Sequence, residues 1–307
     1  MAADGMAAAA LDRSRDHAKP PPMADSQRSF SASALDKLGK RLAHVSPAPA
    51  DVEMLLSAQR EWQGALKASL DAVSEVARAI PRDERDAPLH VTNREKTVAT
   101  LVDKLRRGTP LSRMQDVVGV RIVDPSGGLR EQDEIVARLK ERLGDVRIVD
   151  RRSTPSYGYR AVHVIPKIDR RTVEIQIRTG WQHAWANTME ECGDRWGRGI
   201  RYGEPSTGAS PEEIADRSKQ LSDLLRVGEA IARWETTERE CVDHARALPR
   251  IEPRPDERDR LLTEHRSMDA RMKRAFDELA AIAMTDGPLM ADFRVQLDRW
   301  PLRKNWR

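Results

Sequence analysis

Residues 173–179 read Val-Glu-Ile-Gln-Ile-Arg-Thr, and this stretch decides the fold. Branched apolar residues alternate with polar ones, which is the pattern of a β-strand with one buried face. The opposite face carries a carboxylate, an amide and a guanidinium in a row, from Glu174, Gln176 and Arg178. Two interpretations of this row are open: a solvated outer face, or the polar wall of a binding site.

Strands and helices alternate upstream of this strand. Apolar runs predict strands within 114–123, at 146–149 and at 160–165, and helical periodicity predicts helices at 34–44, at 51–80, from 96 onward and at 131–143. Asp51 is expected to cap the second of these helices, and Trp62 is expected to lie in the core. The alternation favours an α+β fold, in which a mixed β-sheet is flanked by helices.

The chain after residue 208 is predicted to be wholly helical. Ser210 and Pro211 start one amphipathic helix that extends to about 248, and a second runs from about 257 to 284. Their apolar stripes must be buried on the preceding domain, on each other, or in a homo-oligomer interface. We therefore expect three parts: a disordered N-terminal tail at 1–29, a domain at 30–205 and a helical C-terminal extension at 206–307.

Composition narrows the class of protein. The 307-residue chain is 33% charged and 39% hydrophobic, which favours long surface helices around a modest core. Its net charge of +4 suits a phosphate-rich ligand without indicating DNA. Cys192 and Cys241 form no CxxC pair, so neither a disulfide framework nor a thiolate zinc site is indicated. No apolar run has the length of a membrane span, and we expect a cytoplasmic protein.

The segment 92–107 combines cations with a hydroxyl at helical spacing. A helix from Lys96 places Lys96, Thr100 and Lys104 one turn apart on one face, an arrangement that suits a polyphosphate. The alternative is a basic, solvated helix face. Further on, Asp116 enters the first strong strand, where a carboxylate needs either a capping role or a cation.

Four motifs follow one another between residues 94 and 179. They are Arg-x-Lys-x3-Thr-x3-Lys at 94–104, Asp-x2-Gly-x-Arg at 116–121, Gly-Tyr-x3-His at 158–163 and Glu-x-Gln-x-Arg-Thr at 174–179. Together they resemble the synthetase domain of the RelA/SpoT alarmone synthetases, over residues 34 to about 205. The resemblance is greatest to the small, stand-alone members, because Trp185 and Ala186 also match them. It implies the nucleotidyltransferase-like fold of that domain.

The resemblance implies transfer of the β,γ-diphosphate of ATP to a ribose 3′-hydroxyl, with Mg²⁺ as cofactor. It assigns catalysis and the metal to Asp116 and Glu174, and it lets Glu174 accept the proton of the attacking hydroxyl. It places the ATP adenine between Arg94 and Arg121. It assigns the ATP phosphates to Lys96, Thr100 and Lys104.

The acceptor side of the resemblance contains one departure. The implied acceptor-binding residues are Tyr159, which stacks on the base, and His163, Gln176 and Arg178. Residues 155–159, however, read Pro-Ser-Tyr-Gly-Tyr, where members that make guanosine alarmones usually have Pro-Lys-x-Asn-Gly-Tyr. The lysine expected at the 5′ phosphates of the acceptor is absent, and Arg151 or Arg152 are candidates to replace it.

Three functions are therefore open. Transfer to GDP or GTP would make (p)ppGpp, and this is the function we favour. Toxin-type members of the family use the 3′ end of tRNA as acceptor, which needs no such lysine. A non-catalytic nucleotide- or RNA-binding regulator is the third, although such a protein has less need of both Asp116 and Glu174.

Three other features have competing interpretations. His163, His183 and Cys192 match no standard set of zinc ligands. The basic, Gly-rich and aromatic segment 193–203 is either an RNA-contacting loop or a surface loop that ends a helix. The segment 299–307 interleaves cations with two tryptophans, which either contact RNA or a protein or pack on the body of the protein.

Overall fold

The structure of the chain is a computed structural model that describes residues 30–44, 46–82, 87–206, 210–247, 255–284, 288–291 and 293–295. The predicted disordered tail and the segment 299–307 lie outside these residues. Within them the chain has the predicted α+β fold. No helix in this part of the chain is both long and apolar enough to cross a membrane.

The helices and strands follow the predicted order. The helices are α1 (Ala32–Leu42), α2 (Pro49–Ala79), α3 (Val98–Arg106), α4 (Leu129–Leu143), α5 (Gly180–Trp196), α6 (Pro211–Ala247) and α7 (Pro255–Ala283). The strands are β1 (His90–Glu95), β2 (Val118–Asp124), β3 (Val146–Asp150), β4 (Val162–Ile168), β5 (Arg171–Thr172) and β6 (Glu174–Thr179). Short 3₁₀ turns lie at Leu111–Arg113, Arg198–Tyr202 and Pro288–Met290.

The strands form one mixed sheet in the order β1-β2-β6-β4-β3, with β5 paired to β4. The pair β2 and β6 is parallel, whereas the other pairs are antiparallel. In the parallel pair, Gly119 lies opposite Glu174 and Arg121 opposite Gln176. The two strands that carry the strongest motifs are therefore direct neighbours in the middle of the sheet.

The two faces of the sheet differ in polarity because strand side chains alternate. On one face, the apolar residues of β2, β4 and β6 join a core with α1, α2, α3 and α4; they include Val118, Val120, Ile122, Val164, Ile175 and Ile177. Trp62 of α2 lies in this core, 2% exposed, as predicted. The other face carries Glu174, Gln176 and Arg178 and lies toward α5. One face of the sheet thus builds the core, and the other is available for polar chemistry.

The C-terminal helices bury their apolar stripes on each other and on α5. Helix α6 contacts α5, α4 and α7, and a second core contains residues of α5, α6 and α7. Nε1 of Trp185 donates to the carbonyl of Leu224 on α6 at 2.8 Å. Two of the three predicted burial arrangements, on the preceding domain and between the helices, occur in the chain. Ser210 caps α6 as predicted, since its Oγ accepts from the backbone nitrogen of Glu213 at 3.3 Å.

The sequence did not predict β1, which has the sequence His-Val-Thr-Asn-Arg-Glu. Its residues are almost all exposed, because it is an edge strand that pairs only with β2 in the described part of the chain. An edge strand with two wet faces lacks the alternation that reveals a half-buried strand. Arg94 therefore lies on a strand, opposite Gly119.

The starts of α3 and α2 also differ from the prediction, and each difference changes the position of a residue with an assigned role. Helix α3 begins at Val98, because the hydroxyl of Thr97 caps it by accepting from the backbone nitrogen of Thr100 at 3.3 Å. Lys96 precedes the helix and does not share its face with Thr100 and Lys104. Helix α2 begins at Pro49, so Asp51 lies in the first turn and accepts from Nε of Arg41 at 2.8 Å without capping the helix.

Candidate active site

The polar row of β6 is a connected and largely buried set of side chains. Nε2 of Gln176 donates to Oε2 of Glu174 at 2.7 Å, and Nη2 of Arg178 donates to Oε1 of Gln176 at 3.0 Å. Gln176 is 7% exposed and Arg178 only 2%. The interpretation as a solvated outer face is therefore wrong. Buried polar side chains require partners, and outside the row these include His163 of β4 and Tyr159 of the loop before β4.

The register of the sheet places the other motifs beside this row. Arg121 of β2 and His163 of β4 flank Gln176 on its two sides. A cavity opens next to Glu174 between β1, β2 and β6, and it is lined by Thr92, Asn93, Arg94, Gly119, Val120, Arg121, Glu174 and Gln176. A Cβ atom at Gly119 would lie only 3.0 Å from the carbonyl oxygen of Glu174. Glycine therefore avoids a close contact in the wall of this cavity.

A chain of hydrogen bonds leads from Glu174 to the loop at 155–159, named the acceptor loop here for the role that the resemblance implies. Nδ1 of His163 lies 3.0 Å from Oε1 of Glu174, and Nε2 of His163 lies 2.9 Å from the hydroxyl of Tyr159. That hydroxyl also accepts from Nη2 of Arg178 at 3.1 Å, and the guanidinium lies 5.1 Å from the centre of the Tyr159 ring. A proton on Nδ1 lets His163 donate to Glu174, while its Nε2 contacts the hydroxyl of Tyr159.

The surroundings of Glu174 keep its carboxyl group ionised. Burial opposes the charge, but the hydrogen bond and the charge of His163, with the hydrogen bond from Gln176 and the charge of Arg94, lower the pKa of Glu174 to about 2. A carboxylate with so low a pKa is a weak base at neutral pH. It is well suited to bind a cation or to orient a hydroxyl group.

Cations crowd the space between the row and α5. Burial lowers the pKa of Arg121 to about 10, and the charge of Arg178 adds to the effect. Burial and the charges of Arg178 and Arg121 likewise lower the pKa of His183 to about 4. Nε of Arg121, Nε and Nη1 of Arg178 and Nδ1 of His183 are buried and have no hydrogen-bond partner among the described residues. Donors in this state favour a bound anion.

Asp116 belongs to a second cluster of charges. Its carboxylate lies 2.6 Å from Nζ of Lys104 and 3.2 Å from Nζ of Lys96. Lys96 thus reaches the same carboxylate as Lys104 although it lies outside α3. Burial lowers the pKa of Lys96, and the charges of Arg94 and Lys104 act in the same direction against that of Asp116. Thr100 lies on α3 one turn before Lys104, with its Oγ1 3.0 Å from Oγ1 of Thr97.

The eleven predicted site residues therefore form two groups. One consists of Asp116, Lys96 and Lys104, with Thr100 on the same helix as Lys104. The other consists of Arg94, Arg121, Tyr159, His163, Glu174, Gln176 and Arg178. Arg94 interacts electrostatically with both groups, since its charge lowers the pKa of Glu174 and that of Lys96.

The carboxylate oxygens of Asp116 and Glu174 are the type of ligand that a magnesium ion prefers. Mg²⁺ prefers hard oxygen ligands and is commonly held by one or two carboxylates together with phosphate oxygens and water. Glu174 is ionised, and the two ammonium groups at Asp116 show that this carboxylate already attracts cations. The described residues contain no group of three or more His, Cys, Asp or Glu side chains that could hold a metal. His163, His183 and Cys192 therefore form no such group.

The acceptor loop is a tight turn in which two successive residues adopt left-handed conformations. Tyr157 has φ 47° and Gly158 has φ 84°, and Ser156 and Tyr159 exchange backbone hydrogen bonds of 3.3 and 3.0 Å. A side chain at Gly158 would meet the Trp185 ring at 2.6 Å. The turn thus rests directly on α5.

The two arginines proposed to replace the missing lysine differ in availability. Arg152 is bound by carboxylates, with Nη2 2.6 Å from Asp150 and Nη1 2.7 Å from Asp133. Its guanidinium is occupied in holding the end of β3 to α4. The backbone nitrogen of Arg151 donates to the carbonyl of Ala161 at 2.9 Å, and its side chain is half-buried. Of the two, only Arg151 remains a candidate.

Sequence reasoning missed several residues near the acceptor loop. A second pocket lies beside the loop and is lined by Ser156, Tyr157, Tyr159, Trp185, Ala186, Met189, Glu190, Arg201 and Tyr202. Tyr202 and Arg201 belong to the aromatic and basic segment 193–203, which carried a signal. Glu190 carried none, because a single acidic residue on a helix is ordinary in sequence.

The fold is α+β, and the candidate site combines buried cations and two carboxylates around the central pair of parallel strands. A family model described as "Region found in RelA / SpoT proteins" matches residues 93–192. The uncharacterized protein Rv1366 of Mycobacterium tuberculosis is 36% identical over 221 residues, which are 69% of this chain and 72% of that protein. The uncharacterized protein Mb1401 of Mycobacterium bovis matches equally. The chain belongs to the RelA/SpoT family.

Solved structures of Bacillus subtilis proteins are also similar. Small alarmone synthetase 1 bound to its product pppGpp aligns with a TM-score of 0.43 and 24% identity, over 61% of this chain and 94% of that one. Small alarmone synthetase 2 aligns with a TM-score of 0.39 and 22% identity, over 58% of this chain and 95% of that one.

Proposed function

We propose that the protein is an ATP-dependent pyrophosphotransferase that moves the β,γ-diphosphate of ATP to the ribose 3′-hydroxyl of GDP or GTP, and so makes (p)ppGpp. The acceptor oxygen attacks the β-phosphorus, the bond from that phosphorus to the oxygen bridging to the α-phosphorus breaks, AMP leaves, and the proton of the acceptor hydroxyl is released to water. One observation carries the proposal: the hydrogen-bonded chain Glu174–His163–Tyr159 joins a cation-lined cavity to an aromatic acceptor loop.

The donor side has the groups that such a transfer needs. Lys96 and Lys104 supply two ammonium groups for the ATP phosphates, and Thr100 supplies a hydroxyl. Arg94 and Arg121 line the cavity next to Glu174, where their planar guanidinium groups suit stacking on adenine. Asp116 and Glu174 would hold Mg²⁺, which when bound neutralises phosphate charge in the transition state.

The acceptor side depends on orientation. The Tyr159 hydroxyl, fixed by His163 and Arg178, sets the angle of the ring that stacks on the acceptor base. Gln176 fixes the second oxygen of Glu174, so that the carboxylate faces the cavity in one orientation. Phosphoryl-type transfer depends mainly on position and on charge neutralisation. With a pKa of about 2, Glu174 is better suited to bind a cation and orient the hydroxyl than to act as a strong base.

A second candidate is transfer to the 3′ end of tRNA, in which case the protein would be a translation-blocking toxin. The observation in its favour is the acceptor loop itself. The family lysine is absent, and Arg152 is held by Asp150 and Asp133, so it does not supply a replacement cation for a 5′ polyphosphate.

The deciding experiment offers GDP, GTP and deacylated tRNA in parallel to the purified protein with Mg²⁺ and γ-labelled ATP. Label on the guanine nucleotide, with release of AMP, would establish the alarmone synthetase. Label on tRNA alone would establish the second candidate. Absence of label on every acceptor, with ATP binding retained, would refute both and leave the non-catalytic regulator.

A further inference from the structure

The 3₁₀ turn Arg198–Tyr202, which follows α5, reaches the helix that carries the donor-side residues. Nη1 of Arg198 donates to Oγ1 of Thr100 on α3 at 3.5 Å. The turn lies beyond residues 93–192, the part of the chain that the family model matches. Arg198 is therefore a cation beside the donor side that the four motifs do not contain.

Arg198 contacts the face of α3 that carries the proposed phosphate ligands. Thr100, Asp103 and Lys104 lie on one side of α3, because residues three and four apart are neighbours on a helix. Nη1 of Arg198 lies 3.5 Å from Oγ1 of Thr100 and 3.7 Å from the carboxylate of Asp103. Together with Lys96 and Lys104, Arg198 gives the proposed phosphate site a third cation.

The turn is anchored at several points, so the fold sets the position of the Arg198 backbone. Ile200 is 5% exposed and belongs to the second core, with residues of α5, α6 and α7. Nη2 of Arg201 donates to a backbone carbonyl of α5 at 2.8 Å. The guanidinium of Arg107, at the end of α3, lies 4.9 Å from the centre of the Tyr202 ring. The turn thus bridges α5 and α3.

The guanidinium group of Arg198 is held only weakly by carboxylates. Its Nε lies 3.6 Å from Asp194 and its Nη1 lies 3.7 Å from Asp103, and both distances exceed that of a hydrogen bond. The side chain is 49% exposed, so water screens both pairs and each contributes little to stability. A planar guanidinium forms a stronger, bidentate contact with a phosphate. A phosphate bound at α3 would therefore displace these two carboxylates from Arg198.

The order of the donor-side residues indicates which phosphate Arg198 would meet. Arg94 lies on β1 in the wall of the cavity proposed for adenine, and Lys96 directly follows that strand. Thr100 lies further along the chain, on α3, where Arg198 contacts it. A donor with its adenine at Arg94 and its phosphates at Lys96 would extend its terminal phosphate toward Thr100 and Arg198.

We propose that Arg198 binds the γ-phosphate of the donor and so selects a triphosphate over a diphosphate. The inference rests on the proposed function and adds a residue to its donor side. The group transferred is the β,γ-diphosphate, so a donor without a γ-phosphate cannot supply it. A cation at the γ-phosphate excludes such a donor and also neutralises charge on the group in transfer.

Binding of ATP and of ADP, measured by titration calorimetry on the full chain with Mg²⁺ and without acceptor, tests this without any transfer. R198A should weaken ATP binding about tenfold or more, because a charge-assisted contact with a phosphate is lost, and should leave ADP binding unchanged. R198K keeps the charge without the planar fork and should recover part of the loss. The matched control R195A removes the same charge from an exposed position on α5 and should bind both nucleotides like the wild type.

The melting temperature of R198A should equal that of the wild type, because the ion pairs of Arg198 are exposed and long. Unchanged ATP binding in R198A, an equal loss for ATP and ADP, or an equal loss of ATP binding in R195A would overturn the proposal. If R198A shows the expected loss but the wild type labels no acceptor, this inference stands and the proposed function fails. If the wild type labels an acceptor while R198A binds ATP normally, the proposed function stands and this inference fails.

Discussion

Nδ1 of His163 lies 3.0 Å from Oε1 of Glu174, while the other nitrogen of the ring contacts the hydroxyl of Tyr159. One imidazole thus fixes both the Glu174 carboxylate at the cavity between β1, β2 and β6 and the ring of Tyr159. The two strands involved, β4 and β6, are antiparallel neighbours, so this geometry is rigid. In the proposed function, this same small set of hydrogen bonds would position both the donor and the acceptor.

Replacing Glu174 with glutamine should abolish transfer and leave ATP binding largely intact. The amide has nearly the same shape but no negative charge for Mg²⁺, and loss of such a group typically costs about 10²-fold or more in rate. Rate is measured with labelled ATP, and affinity by calorimetry with ATP. The control E95Q changes an exposed carboxyl on β1 and should keep full activity. Wild-type turnover in E174Q would refute the assigned role of Glu174.

Replacing Asp116 with asparagine should raise the Mg²⁺ concentration needed for half-maximal rate. Asp116 also separates two ammonium groups, at 3.2 and 2.6 Å, so its loss leaves Lys96 and Lys104 facing each other. Chelation of the metal with EDTA should stop transfer in the wild type. The control D103N, at the exposed ion pair with Arg198, should titrate with Mg²⁺ like the wild type. An unchanged Mg²⁺ requirement in D116N would exclude this carboxylate from the metal site.

The sequence predicted the parts of this site that depend on local periodicity. The row on β6 was predictable because strand alternation is a property of adjacent residues. The edge strand β1 was not predictable, because it is polar on both faces and so shows no alternation of apolar and polar residues. The start of α3 was missed because the sequence does not show which residue caps the helix. The hydroxyl of Thr97 caps it, so the helix begins at Val98 and Lys96 lies outside it.

The pocket beside the acceptor loop could not be predicted, since it is made by packing between distant segments. Glu190 on α5 and Tyr202 in the following turn meet the loop at 155–159 only because α5 lies across the polar face of the sheet. The resemblance supplied Tyr159 but not Tyr157. The departure at Tyr157 was visible in the sequence, but its left-handed backbone conformation was not.

Replacing Tyr159 should affect the acceptor far more than ATP. Y159A removes the stacking surface, so we expect KM for the acceptor to rise about tenfold or more, with little change in KM for ATP. Y159F keeps the ring but removes the hydroxyl that holds Arg178 and His163, and should lower kcat more than it raises KM. Steady-state kinetics with both substrates varied gives these values. Equal effects on both KM values would contradict the stacking role.

The burial of His183 should make stability depend on pH. Its pKa falls from an ordinary 6.5 to about 4 in the folded protein, so in this window the unfolded chain binds the extra proton. The free energy of unfolding should therefore rise with pH between about 4 and 6.5. H183Q should show a shallower rise in urea unfolding measured across this window. An identical slope in H183Q would show that His183 is not the group responsible.

Glu235 connects helix α6 of the C-terminal extension to the end of β6. It is 3% exposed, accepts from the hydroxyl of Thr179 and accepts from Nε2 of Gln182 at 3.0 Å. Thr179 directly follows Arg178, so the polar row ends at a contact with α6. Removing the carboxyl group in E235A should leave two buried donors unpaired, at a cost of about 1–3 kcal/mol in the free energy of unfolding for each.

The variant E235Q separates shape from charge at this position. Burial raises the pKa of Glu235, so its contribution to stability is complete below its ordinary pKa of 4.5 and is lost as pH rises through the folded value. A glutamine stays neutral, so E235Q should gain stability relative to the wild type as pH rises. Urea unfolding of wild type, E235Q and E235A at pH 5 and pH 8 measures both effects. If E235A is as stable as the wild type at both pH values, α6 does not support β6 through this contact.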